Sequence, residues 1–263
     1  MNLSAFREYG EELEKRLRLQ TFPLAIKLLE KEEDIPEQAT RPKRDLGEHL
    51  ALCQGFAMSR RERTTVAMLK EDMECFEPVV GYGIEEPPQY FLEGNNRYPL
   101  DVLSLEAGSN YAHEFPRLQY GKYIGVVSAP LANTVFEPDV IAIYCNSEQL
   151  SLLLLGRECK DGFNLKCSLS SHAACVYAVV PTIQSGNYQV AVPCRGDRYF
   201  YGIAGADEMI FAAPKDRLEE LMTGLRYVHE SGSRLPRAYG KGPPKYEGES
   251  PYVKIGRMLG MEV

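Results

Sequence analysis

The order of strand-like and helix-like runs, mixed without strict alternation, constrains the fold of this chain more than any single motif does. The helical spacing of Phe6, Tyr9, Leu13 and Leu17 predicts a helix over residues 4–18, and PLAIKLL from Pro23 reads as a strand. A second helix is expected over 45–60, with Leu46, Leu50, Cys53 and Ala57 on its apolar stripe, followed by the strand-like TTVAML. Pro78, Gly81 and Gly83 then punctuate the chain, so Cys75 falls in a loop or at a helix start. A helix over about 100–113 precedes two runs that read as buried strands, GKYIGVVSAPL and PDVIAIYC. Ser147 is a candidate cap for a helix over 148–159, and Ser171 for a shorter one through Cys175 that Pro181 breaks. GNYQVAVP, RYFYGI and EMIFAAP read as three strands of a meander. Pro214 opens a last helix with Leu218, Leu221, Met222 and Leu225 on its core stripe.

This pattern predicts an α+β (mixed α/β) fold. One domain is expected over 1–230, with an antiparallel sheet in its C-terminal half flanked by helices. Residues 231–263 are expected as an extension wrapping the surface.

Several classes of function are disfavoured. A net charge of -7 gives no general basic surface for nucleic acid. The N-terminus has no apolar signal region, and no run approaches the roughly 18 apolar residues of a membrane span. A cytoplasmic location is therefore expected, where thiols stay reduced and seven cysteines would be free, metal-bound or catalytic. Walker A, G-x-G-x-x-G, H-E-x-x-H and C-x-x-C patterns are missing.

The cysteines are widely spaced singles. Cys145 and Cys159 sit on apolar elements, where packing explains them. Cys75 and Cys194 sit beside Pro and Gly, where packing explains them less well. VAVPCRGDRYF places Cys194 in a turn just before Arg195 and Arg198, which would favour its thiolate. Cys175 follows His172 by three residues, a spacing that shares a helix face.

PLAIKLL after an N-terminal helix, Cys53 and Cys75 around a helix and strand, FEPDVIAIY, Cys175, PCRGDR and DEMIFAAP follow one another in an order that resembles the DUF169 family over about residues 20–226. The resemblance implies that Cys53, Cys75, Cys175, Cys194, Gly196 and Arg198 belong to the family pattern, and that Cys145, Cys159 and Cys167 do not. Four such thiolates suit a [4Fe-4S] cluster, with zinc as the alternative; zinc sites commonly use the paired spacing missing here. Arg195, Arg198 and the amides near Gly196 would then bind and tune the cluster. The expected role is an iron–sulfur redox or small-molecule enzyme or its accessory subunit, with a small molecule or a redox protein as partner and homo-oligomerisation open. Two other readings stand beside it. One is a thiol enzyme with Cys194 as nucleophile and His172 or Glu208 as base; the other is a non-catalytic ligand-binding domain.

Overall fold

The computed structural model describes residues 1–233, 235 and 251–261. Its sheet is built around β1 (Leu24–Leu29), whose residues are all buried except the half-buried Lys27. β3 (Gly125–Pro130) pairs with one side of β1 and β4 (Val140–Cys145) with the other. β2 (Val66–Leu69) continues the sheet beyond β3, while β6 (Met209–Pro214) and β5 (Gln189–Ala191) continue it beyond β4. The order is β2-β3-β1-β4-β6-β5, antiparallel throughout. The fold is therefore α+β, and its sheet draws on both halves of the chain rather than the C-terminal half alone.

Strands this apolar on both faces need cover on both sides. Successive side chains alternate between the faces. Leu24, Ile26, Leu28, Val140, Ala142, Tyr144, Ile210 and Ala212 join one core with α2 (Leu52–Glu62) and α7 (Ala174–Ser185). Ile141, Ile143, Cys145 and Phe211 are the alternate residues, buried on the other face. There α6 (Ser147–Glu158) packs on β4 and β6, and α8 (Leu218–Glu230) packs on α6. α1 (Leu3–Leu17) lies against the turn after β3, with Phe6, Leu13 and Leu17 inward as expected. Each fully buried Phe, Ile or Val side chain, such as Phe56, Ile26 or Val176, contributes roughly 1.5–3 kcal/mol.

Four sequence expectations are corrected. The helix expected over 45–60 is two pieces: a helical turn, Pro42–Leu46, and α2. Gly47 separates them at φ 76°, a left-handed conformation that suits glycine, and Leu46 is exposed. α7 begins one residue before Cys175 and runs straight through Pro181. Thr182 donates its hydroxyl to the Ala178 carbonyl, and Ser185 donates to that of Pro181, so the turn around the proline keeps polar partners. RYFYGI is no strand: Gly196–Phe200 is a helical turn with Tyr199 and Phe200 exposed. The helix expected over 100–113 is shifted to α5 (Leu105–Glu114), capped by Ser104. Two short helices, α3 (Phe76–Gly81) and α4 (Gln89–Leu92), precede it.

The chain divides into Met1–Ser233 and Arg234–Val263. Of the expected surface extension, residues 234, 236–250 and 262–263 lie outside the described residues; α9 (Pro251–Met258) is helical. Among the described residues no helix is long and apolar enough to cross a membrane.

Candidate functional site

A cavity of about 350 Å³ lies where α2, α3 and α7 begin. Cys53 and Cys175 are each the second residue of their helix, in the first turn whose amide N–H groups have no partner within the helix. Cys75 is the residue before α3, and Cys194 sits between β5 and the turn at 196–200. All four line the cavity.

The packing that assembles them is specific. At Gly81, the end of α3, a Cβ would sit 2.5 Å from Val176 Cγ1, so only glycine lets α3 approach α7 this closely. Tyr82 then donates its hydroxyl to the Cys175 carbonyl at 3.0 Å. The Ala174 amide, first in α7, reaches the Cys194 sulfur. Ala173, just before it, holds a left-handed φ of 45°, an uncommon conformation for a residue with a Cβ and a form of strain that collects at functional sites.

The thiols are close enough that every pair among the four disfavours joint ionisation. Burial is the larger cause of their raised pKa values. It pushes Cys75 up to about 12 and Cys53 and Cys175 well above the usual thiol range. Cys194 is raised as well, first by burial and then by the Asp197 carboxylate. Asp197 is 2% exposed and accepts the Cys194 backbone N–H at 2.6 Å, and its charge also raises Cys53. The expectation that arginines hold Cys194 as a thiolate is thus reversed, because both arginines are engaged elsewhere. Arg195 donates to Asp101 at 2.8 Å and lies over the Phe200 ring. Arg198 donates to the carbonyls of Pro193, Gly205 and Glu208 at 3.2, 2.5 and 2.9 Å. It braces the loop and is not among the residues lining the cavity. Gly196 does line it, and a Cβ there would stand 3.4 Å from Cys194 Sγ.

A charged wall completes the cavity. Arg97 pairs with Glu77, donates to the Tyr111 hydroxyl at 2.9 Å and to Asp101 at 3.2 Å, and lies over the Tyr111 ring. Burial raises the Glu77 carboxyl, whose Oε2 lies 4.0 Å from Cys75 Sγ. His172 also lines the cavity, with its pKa lowered by burial and then by Arg97.

The remaining cysteines stand apart. Cys145 is on the opposite face of the sheet, Cys159 points its sulfur at the Gly224 carbonyl, and Cys167 lines a separate cavity beside Glu114 and Lys166. Glu208, the other base considered for a thiol enzyme, is paired with the buried Arg60 at 2.9 Å. Among the described residues, no group of three or more His, Cys, Asp or Glu side chains is arranged to hold a metal ion as it stands. Sequence reading missed Asp197, Glu77 and Arg97. Asp197 was signalled only by its place in CRGDR; Glu77, second in α3, and Arg97, 20 residues further on, carried no signal.

The family model for DUF169, described as an uncharacterised ArCR family, matches residues 12–224. The chain belongs to the DUF169 family. The DUF169 match takes in all four cavity cysteines and the whole charged wall. An uncharacterized protein of Methanocaldococcus jannaschii is 23% identical over 233 residues, covering 88% of this chain and 97% of that protein. No solved structure matches.

Proposed function

We propose that the cavity is a thiolate site for a [4Fe-4S] cluster, with Cys53, Cys75, Cys175 and Cys194 as its ligands. The protein would act as a redox or small-molecule enzyme, or as the accessory subunit of one. The observation that carries this reading is the lining of one cavity by these four of the seven cysteines, delivered by four separate segments, while the other three lie elsewhere.

The donor chemistry fits. Four sulfur donors suit iron–sulfur clusters or zinc. Zinc sites built from cysteine commonly use the paired spacing that is missing from this sequence, so we prefer the cluster to zinc. Burial raises these thiols, so a thiolate here would need a cation of either kind beside it. When bound, such a cluster supplies one-electron transfer. The chain contributes the thiolates, the first-turn amides of α2 and α7, and a largely apolar enclosure from Leu52, Pro78 and Ala173. The nucleophile reading is disfavoured by the upward shift of Cys194, since a nucleophile needs a lowered pKa or an adjacent base.

Protein purified without oxygen should contain iron and acid-labile sulfide and absorb broadly near about 400 nm. Stoichiometric zinc without sulfide would replace the cluster by zinc. A colourless, metal-free protein with one fast-reacting thiol would sink both metal readings in favour of a thiol enzyme.

A further inference from the structure

We propose that the rim of this cavity is a self-association surface, closed in solution by the same rim of a second copy of this chain. The proposal goes beyond the cluster reading and does not depend on what the cysteines hold.

Four of the five most exposed large apolar side chains described within Met1–Ser233 lie in two short segments. Leu100 and Leu103 are 77% and 99% exposed, and Tyr199 and Phe200 are 80% and 68% exposed. Apolar residues scattered singly over a surface need no explanation, but a group of them does. The two segments adjoin, because Leu100 and Phe200 line the same cavity. Arg195 ties them together: it donates to Asp101, the residue after Leu100, at 2.8 Å, and its guanidinium lies over the Phe200 ring. The turn at Gly196–Phe200 is held from within. Asp197 is buried and accepts the Cys194 N–H, and Arg198 grips three carbonyls. Tyr199 and Phe200 are thus presented outward by an anchored turn, and a surface ordered in advance loses little freedom on binding.

The charges of the rim select the occupant. Glu74 and Arg195 both line the cavity and both reach solvent, yet they are not paired with each other. Arg195 has its ion pair with Asp101, and the Glu74 carboxylate has only the Tyr201 hydroxyl, at 3.4 Å, among the described residues. A chain of net charge -7 repels its own copy in general, and a rim of one sign would add to that. A rim with an apolar middle and both signs at its edge is self-complementary. Across a two-fold axis, Arg195 of each copy faces Glu74 of the other. By their exposed fractions the four apolar side chains offer on the order of 600 Å² per copy, against the roughly 800 Å² that one side of a standard interface buries. That supports a weak, reversible dimer and not an obligate one. Pairing covers the mouths of both cavities, so the single chain holds the site only half enclosed.

The test is sedimentation velocity of the full chain from about 1 to 200 μM, which should show a reversible monomer–dimer equilibrium with a micromolar Kd. Leu103 and Phe200 are exposed, so the double variant Leu103→Ser, Phe200→Ser should keep the wild-type melting temperature while weakening the dimer by about tenfold or more. Tyr227→Ser, on the exposed side of α8, should leave the Kd unchanged. Arg195→Glu should weaken the dimer by about fivefold or more, since two-fold symmetry repeats the change. Adding Glu74→Arg to that variant should restore most of the affinity, a rescue that a purely structural role for Arg195 would not give. A monomer at every concentration, a dimer indifferent to the Leu103–Phe200 double variant, or a charge swap without rescue would overturn the surface. Iron analysis of the same samples keeps the two readings apart. A dimer without iron retains the surface and sinks the cluster; a monomer with iron does the reverse.

Discussion

The two faces of the sheet each bury cysteine, and they do so differently. On the α6–α8 face, Cys145 follows β4's alternation and is as thoroughly covered as any core residue, with burial pushing its thiol up to about 12. On the α2–α7 face, Cys53 and Cys175 are also buried, yet they share a cavity with two further thiols, three carboxylates and two arginines. Depth of burial and upward pKa shift are therefore common to both faces and distinguish nothing. What sets the α2–α7 face apart is convergence: side chains distant in sequence, three of them at helix starts, brought to one enclosed space.

The comparison breaks most decisively at the cysteines themselves. Cys194→Ser should abolish bound metal and lower stability by several kcal/mol in thermal or denaturant melts, because binding energy at such a site is partly folding energy. Cys145→Ser and Cys159→Ser should leave metal content at the wild-type level. Retained metal in Cys194→Ser, or lost metal in Cys145→Ser, would erase the distinction between the faces.

A smaller effect is expected at Arg60, which belongs to the cavity-side core but touches no thiol. It is 1% exposed, lies 3.9 Å from the centre of the Tyr144 ring, and is paired with Glu208. Arg60→Ala empties a fully buried position and removes its contacts with Tyr144 and the half-buried Glu208, and should cost about 2–5 kcal/mol in urea unfolding. Below it comes Arg198→Lys, which forfeits part of a three-carbonyl brace. Roughly 1–3 kcal/mol should be lost, with metal content unchanged, since Arg198 holds the loop and not the metal. Loss of metal without loss of stability would return Arg198 to the cofactor-binding role the sequence suggested.

The mildest change at neutral pH is that of Cys145→Ala under alkali. A thiol whose folded pKa is raised from 9.0 to about 12 binds its proton more tightly in the folded state. Its contribution is fully present below about pH 9 and is lost as pH rises toward 12. Cys145→Ala should therefore flatten the fall in melting temperature across that window, at the cost of a small cavity. An unchanged alkaline slope would place the titration elsewhere.

Much of the fold was legible because it is local. The apolar runs of β1, β3 and β4 and the stripe of α8 declare themselves within ten residues or so. The failures have local causes too. In RYFYGI, aromatic alternation imitates a strand, but Tyr199 and Phe200 face outward at 80% and 68% exposure, with no sheet edge to receive them. Pro181 reads as a helix breaker until Thr182 and Ser185 are seen returning hydroxyls to the backbone. The cavity is another matter. The approach of Cys75 to Cys175 depends on Gly81 meeting Val176 across nearly a hundred residues, and spacing along the chain holds no trace of that contact. The family resemblance, not the spacing, singled out the four cysteines. Neither signal reached Arg97, whose partners Glu77, Asp101 and Tyr111 are joined only by the fold.

The strand order also writes a schedule for synthesis. β1 leaves the ribosome early, but both its neighbours in the sheet begin about a hundred residues later, so the first strand waits for its partners. Cys53 and Cys75 emerge before any two neighbouring strands of the sheet exist; Cys175 and Cys194 follow only when most of the first unit has been made, and β6 must still slot between β4 and β5. Anything that needs all four thiols arrives at a nearly finished chain, as a late delivery to a waiting scaffold rather than a seed around which the chain could fold.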